Sequence, residues 1–320
     1  MNSTLAASRT LHGQTSLALI GAAIGCGAPD ERCADAPFAL READVASALT
    51  RAGLPAAWHA VHVAPKRADG AVPLAAIADM ARRMADDSAA LTREGRRFVS
   101  FGGDHTAAIG LWSGAARGLR QRAAGARFGM IWIDAHMDAH TPATTESGMI
   151  HGMPVACLLG EGEAALTTLA GARPAVAPEN LCLIGTRSFE TGEAALLARL
   201  GVRVIDAEEV RSIGFAAALT EARAIAGMDT AGYGISLDID AFDPSEAPGT
   251  GYWEPQGLRG DDVVAAFAAL GDDAAFAALA DDPRFVGLEI AEYNPHKDKD
   301  GRTRRLIEQT VAAGLSKRGV

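Results

Sequence analysis

Three short segments of the sequence place carboxylates and imidazoles where a divalent cation could sit. Phe101-Gly102-Gly103-Asp104-His105 follows an apolar run, and its two glycines let the backbone turn sharply and approach a neighbour closely while presenting His105. Ile133-Asp134-Ala135-His136-Met137-Asp138 alternates polar with apolar or small residues. In extended backbone every second side chain shares a face, so Asp134, His136 and Asp138 are expected to project together. The same rule puts Asp238 and Asp240 of Leu237-Asp238-Ile239-Asp240-Ala241 on one face. Asp243, just before Pro244, is instead the kind of residue that caps a turn.

Burying several carboxylates beside imidazoles is costly unless a cation or a hydrogen-bond network compensates. Two plainer readings stand beside this one. Asp104 could cap a helix, and the alternation around Asp134 could be a surface pattern, although it directly follows the apolar run Phe128–Ile133. Taken together, His105, Asp134, His136, Asp138, Asp238 and Asp240 offer hard oxygen donors and imidazole but no thiolate. Such a set suits Mn²⁺ best, with Fe²⁺, Co²⁺, Ni²⁺ or Zn²⁺ as alternatives. One ion rarely needs so many acids, whereas two ions roughly 3.5 Å apart, bridged by a carboxylate and a hydroxide, match the supply. The chemistry of such a pair is hydrolysis, and its residual negative charge favours a cationic substrate.

Short apolar runs alternate with alanine-rich helical stretches along the chain and must position these groups. The expected strands are Ser16–Ile20, His59–Val63, Arg97–Phe101, Phe128–Ile133, Asn180–Ile184, Val202–Ile205, Tyr233–Leu237 and Phe285–Ile290. The expected helices are Phe38–Ala52 after Pro37, Pro73–Glu94, Thr106–Ala124, Thr191–Leu200, Phe215–Ala226 and Asp261–Leu270. The tail Arg302–Val320 is basic and partly amphipathic, as a surface helix would be. Strands this short and apolar on both faces, separated by helices, mean a mostly parallel sheet covered on both sides. Periodicity leaves a closed barrel and an open sheet equally possible, and both put chemistry in the loops after the carboxyl ends of strands. With no repeat, linker or break in composition, residues 1–320 are expected to form one domain.

Thirty basic against forty acidic residues give a net charge of −10, which argues against a nucleic-acid or an acidic membrane partner. The run Leu17–Ile24 is bounded by Gly21 and Gly25 and lacks a charged leader, so it reads as a buried strand rather than a signal. No run of about eighteen apolar residues occurs, so no membrane-spanning segment is expected. Cys26, Cys33, Cys157 and Cys182 are scattered without pairing motifs, as in a reduced, cytoplasmic protein.

The motifs Gly102-Gly103-Asp104-His105, Asp134-Ala135-His136-Met137-Asp138 and Ser236-Leu237-Asp238-Ile239-Asp240-Ala241-Phe242-Asp243-Pro244, in this order, resemble the arginase/agmatinase (ureohydrolase) family. The resemblance runs from Ala36-Pro37 to Glu292-Tyr293-Asn294-Pro295. It implies an open three-layer α/β/α sandwich around an eight-stranded, mostly parallel sheet. It also implies two Mn²⁺ per chain and a small guanidino substrate, attacked by a hydroxide bridging the ions. By the resemblance, His105, Asp134, Asp138 and Asp238 would hold one ion and Asp134, His136, Asp238 and Asp240 the other. Asp138 would pass a proton to the departing amine, and Glu292 would orient the guanidinium, with Glu289 as a supporting acid. Assembly as a trimer or hexamer is implied as well.

Within the family, the segment Thr141–Pro154 looks like the arginase version of its loop. Ser147 then resembles the serine that meets the substrate α-carboxylate, and His151 the histidine that shuttles protons. The arginase branch converts L-arginine to L-ornithine and urea. Several positions depart from its pattern: His140 and Met149 replace expected asparagines, Ser188 and Glu190 replace aspartates, and Tyr252-Trp253 replaces Thr-Pro. His140 could take over a carboxylate contact and Glu190 an ammonium contact. The departures keep agmatinase, guanidino-acid hydrolase and formimidoylglutamase activities open. A non-catalytic metal-binding protein and a single-zinc deacylase are rivals of other classes.

Overall fold

A computed structural model of the chain describes residues 16–67, 73–269, 279 and 281–316. Its strands are β1 (Leu17–Ala23), β2 (Ala56–Val63), β3 (Phe98–Gly102), β4 (Phe128–Ile133), β5 (Leu181–Thr186), β6 (Arg203–Asp206), β7 (Gly232–Asp238) and β8 (Phe285–Ala291). They form one sheet in the order β2-β1-β3-β8-β7-β4-β5-β6, and every ladder is parallel. All eight expected strands are present, with ends moved by up to three residues.

The helices in the first half are α1 (Ala36–Glu42), α2 (Val45–Arg51), α3 (Leu74–Arg93), α4 (Ala107–Arg122), α5 (Pro154–Leu158) and α6 (Ala164–Thr167). Those in the second half are α7 (Thr191–Leu200), α8 (Ala207–Ile213), α9 (Phe215–Gly227), α10 (Gly260–Ala269) and α11 (Arg302–Leu315). Strand residues alternate between two cores. Phe128, Met130 and Trp132 face the layer of α3 to α5, while Ile131 and Ile133 face that of α9 to α11. A sheet apolar on both faces needs a helical layer on each side, which is the three-layer sandwich. The helix α4 lies close on the sheet because Gly234 has no side chain: a Cβ there would sit 2.2 Å from the ring of Trp112. Among the described residues no helix is long and apolar enough to cross a membrane.

Two local expectations need correction, and α8 is not among the expected helices. The stretch Phe38–Ala52 is two helices rather than one, because Asp44 adopts a left-handed conformation (φ 53°) that no α-helix continues through. The short α8 lacks a long periodic signal, although Asp206 caps it by accepting the Glu209 N–H. The tail helix is docked rather than superficial, with Leu306, Ile307, Val311 and Leu315 buried in the core. Leu270, the stretch before Ser16 and the end of the tail from Lys317 lie outside the described residues.

Candidate metal centre

The strands β3, β8, β7 and β4 are neighbours, so the loops after their carboxyl ends meet although they are distant in sequence. After β3, Gly103 and Asp104 donate their N–H groups to Ala22 and Ile24. A Cβ on Gly103 would lie 1.8 Å from the Ile24 carbonyl oxygen, so only glycine fits this approach. Asp104 does not head a helix as its cap. Its carboxylate accepts the N–H groups of Gly27 and Thr106 and so ties two loops together.

These braces set His105 at the head of α4, where its ring stacks on Trp132 with centroids 4.2 Å apart. A chain of donors fixes the ring's tautomer. Trp112 Nε1–H and the Ser236 hydroxyl both donate to Glu289 Oε2, so Ser236 Oγ accepts from His105 Nε2–H at 2.8 Å. The other nitrogen, Nδ1, points at Oδ2 of Asp238, Asp138 and Asp134, at 2.9, 3.1 and 3.2 Å. None of the three is aligned as a hydrogen bond. Convergence of a buried imidazole nitrogen and three carboxylate oxygens is what a cation requires.

A second group adjoins the first. His136 Nδ1 lies 3.0 Å from Asp240 Oδ2 and 3.5 Å from Asp134 Oδ1. Asp134 therefore belongs to both groups, His105–Asp134–Asp238 and Asp134–His136–Asp240, each close enough to hold an ion. Trp132 Nε1–H donates to Asp134, and the Ala135 N–H donates to Asp240.

The expected residues meet, but not by strand alternation. The strand β4 ends at Ile133, and Asp138 is left-handed with φ 48°. The strand β7 ends at Asp238, whose carboxylate accepts the Asp240 N–H at the start of a 3₁₀ turn over Ile239–Ala241. Tight turns, rather than extended backbone, aim these acids. Glu292 is left-handed too (φ 60°), as strained residues at functional sites often are. Asp243 caps its turn as expected, accepting from Ser245 and Gln256.

Crowding shifts the ionisation of the cluster. Burial raises Asp238 well above its ordinary range, with help from Asp240 and Asp134. Burial and the neighbouring Asp134 bring Asp138 up to about 6. Burial would also raise Asp134, but His105 and His136 beside it pull it down. Burial opposes charge on His105, yet the three aspartates outweigh it and hold the imidazole well above its usual value. A proton or a divalent cation at Nδ1 satisfies the same carboxylates, and the donor set fits the harder divalent ions.

Glu292 lies beside the centre. Its Oε1 accepts the His105 N–H at 3.0 Å and meets His151 Nδ1 at 3.1 Å, while Oε2 has no hydrogen bond among the described residues. Burial disfavours the charged form of His151, but the Glu292 carboxylate carries it up to about 9. The Tyr252 ring stacks on His151 at 5.6 Å and meets His136 edge-on at 5.7 Å, walling the approach. Its loop is held by Lys297 Nζ on the Gly251 carbonyl and by Arg187, which donates to the carbonyls of Asp240, Glu254 and Pro255.

Farther out, His140 Nε2 meets Glu190 at 2.8 Å and Glu193 at 3.4 Å, while Nδ1 faces Thr144. Ser147 is exposed and accepts only the Met149 N–H among the described residues. Met149 Sδ accepts from Arg67. Sequence reasoning missed Glu193, Ser236 and Trp132. Only Glu193 had a local signal, its capping-box spacing from Glu190, and that box is formed.

The profile of the Arginase family matches residues 15–315. The arginase of Agrobacterium fabrum is 30% identical over 307 residues, covering 94% of this chain and 90% of its own. The arginase of Bacillus caldovelox is 34% identical over 230 residues, 72% of each chain. The crystal structure of the Bacillus caldovelox arginase superposes with a TM-score of 0.84 at 29% identity, covering 96% of this chain and all of that one.

Proposed function

The chain belongs to the arginase family of hydrolases, which act on guanidino compounds, and from that premise we propose that it hydrolyses L-arginine to L-ornithine and urea. The observation that carries the proposal is the sharing of Asp134 between two His/Asp groups, with Glu292 at their edge. We assign His105, Asp134, Asp138 and Asp238 to one divalent cation and Asp134, His136, Asp238 and Asp240 to the other. The oxygen-rich donor set favours Mn²⁺, two per chain. When bound, such ions supply a water polarised to act as a nucleophile near neutral pH.

The remaining steps fall to the chain's own residues. Glu292 receives the guanidinium through Oε2, which orients the planar carbon. Asp138 takes the proton lost by the nucleophile and passes it to the departing amine, and His151 exchanges protons with solvent. The C–N bond breaks, leaving urea and the protonated amine of ornithine. Tyr252 limits water at the mouth, while His140, Ser147 and Glu190 face the substrate tail.

The same reading carries an assembly of three or six copies and a cytoplasmic setting, which suits four buried cysteines without a disulfide. A second reading follows from one observation. His140 already engages Glu190 and Glu193, and Met149 offers no hydrogen-bond donor to a carboxylate. A substrate with no carboxylate in its tail, such as agmatine, would suit that mouth, whereas a guanidino acid or formiminoglutamate would need its carboxylate held by other donors. Steady-state urea release from L-arginine, agmatine and 4-guanidinobutyrate after Mn²⁺ loading tests both. Fastest release from L-arginine supports the first reading. Formamide from formiminoglutamate with little urea from any guanidine overturns it.

A further inference from the structure

An amino-acid substrate brings a carboxylate to the mouth, and the residues facing its tail supply little to hold one. His140 is committed to Glu190 and Glu193, the Met149 side chain has no donor, and Ser147 offers a single hydroxyl. The loop that carries Tyr252 adds a cation. Its Gly251 is packed so near the centre that a Cβ there would lie 3.5 Å from Glu292 Oε2, the oxygen proposed to receive the guanidinium. Lys297 Nζ is 2.8 Å from the carbonyl oxygen of the same glycine. The dimensions of one residue then put the ammonium within roughly 10 Å of Oε2. In extended L-arginine the carboxylate lies about 7 Å from the guanidinium carbon, so a molecule of that length can reach from one to the other.

The ammonium is held in place by partners that carry no charge. One is the Gly251 carbonyl, and the other is the Trp253 ring, whose centroid is 5.3 Å away. Trp253 is itself anchored, its indole N–H donating to the Pro248 carbonyl at 3.0 Å, although the side chain is 58% exposed. No carboxylate among the described residues lies within ion-pair distance of Nζ. Asp298, next in sequence, accepts instead from the Tyr293 hydroxyl and the N–H groups of Thr303 and Arg304. Asp30 feels the lysine's charge from farther away, but it is held by Arg32 at 2.7 Å and by Asn294 at 3.0 Å. Glu292 faces His151. A partly buried ammonium without an anionic partner is costly, and a carboxylate ligand offsets that cost.

We propose that Lys297 receives the carboxylate of the substrate's amino-acid tail, with the Gly251 carbonyl and the Trp253 ring holding its ammonium at the rim. The assignment rests on the reading of the chain as an L-arginine hydrolase. It names the residue that separates L-arginine from agmatine, which lacks only the carboxylate.

Steady-state urea release from L-arginine and from agmatine, by the Mn²⁺-loaded full chain and by Lys297→Met, is the test. Methionine keeps an apolar stem beside Trp253 and removes the charge. The KM of L-arginine relative to that of agmatine should rise about tenfold or more in the variant, and Lys297→Arg should restore most of the ratio. Far-UV circular dichroism checks the fold, and Lys297→Gln, read by the same ratio, serves if Lys297→Met does not fold. An unchanged ratio, including a rise of both KM values alike, overturns the proposal and leaves Lys297 a prop for the Tyr252 loop. Calorimetric titration of each protein with the two compounds reads the same ratio without turnover. No urea from either compound, with L-arginine affinity still falling about tenfold in Lys297→Met, would overturn the hydrolase reading and keep the lysine's assignment. Absence of both urea and saturable binding would overturn both.

Discussion

Asp134 stands between two histidines, with Oδ2 3.2 Å from His105 Nδ1 and Oδ1 3.5 Å from His136 Nδ1. Each oxygen serves a different group, so one side chain joins the two halves of the centre. Asp134→Asn removes its charge and puts an N–H₂ group in place of one oxygen. Metal analysis is expected to fall below one Mn²⁺ per chain, with urea release lower by about a hundredfold or more. Two ions retained per chain would show that the aspartate does not join them.

His105 depends on Ser236 and Glu289, which hold its Nε2–H and keep Nδ1 turned toward the aspartates. Ser236→Ala leaves every proposed metal-binding residue in place but frees the ring. Metal affinity, read by competition with a chelator, should weaken by about 10- to 100-fold. An unchanged affinity would mean that stacking on Trp132 alone orients the imidazole.

Glu193 is buried between the Ala139 and Glu190 N–H groups. Burial and the adjacent Glu190 push its carboxyl up to about 8 from an ordinary 4.5. The folded state therefore keeps a proton that the unfolded chain gives up, and stability falls as pH rises from about 4.5 to 8. Glu193→Gln cannot ionise, so its thermal midpoint should vary less over that window. At pH 5 the variant should be less stable by about 1 kcal/mol, because its amide offers one acceptor where the acid offers two. Identical pH slopes in the two proteins would contradict this.

Tyr252 touches the rings of His151 and His136, one on each side of the approach to Glu292. Such a ring contact contributes about 0.5–1.5 kcal/mol. Tyr252→Ala should raise KM about three- to tenfold while kcat and metal content hold. Loss of metal instead would assign the ring to supporting His136.

Much of this was legible in the sequence, for physical reasons. Strands covered on both faces must be apolar throughout, so runs such as Phe128–Ile133 stand out between helices. The proposed metal-binding residues stand out because Asp134, His136 and Asp238 are costly residues at the ends of such runs. The reason for their convergence was not legible. Alternation predicted a shared face, whereas a left-handed Asp138 and a 3₁₀ turn at Asp240 do the aiming. Ser236, Glu289 and Trp112 meet only because β7 lies beside β8 under α4, a neighbourhood that no local pattern encodes.

Two divalent cations in the His/Asp cluster are proposed to make the chain a guanidino hydrolase. Titrating metal-free protein with Mn²⁺, while counting bound ions and urea released from L-arginine, tests it most directly. Activity is expected to climb as sites fill and to level off at two ions per chain, with urea and L-ornithine formed in equal amounts. Two bound ions with no urea from L-arginine, agmatine or 4-guanidinobutyrate would contradict it.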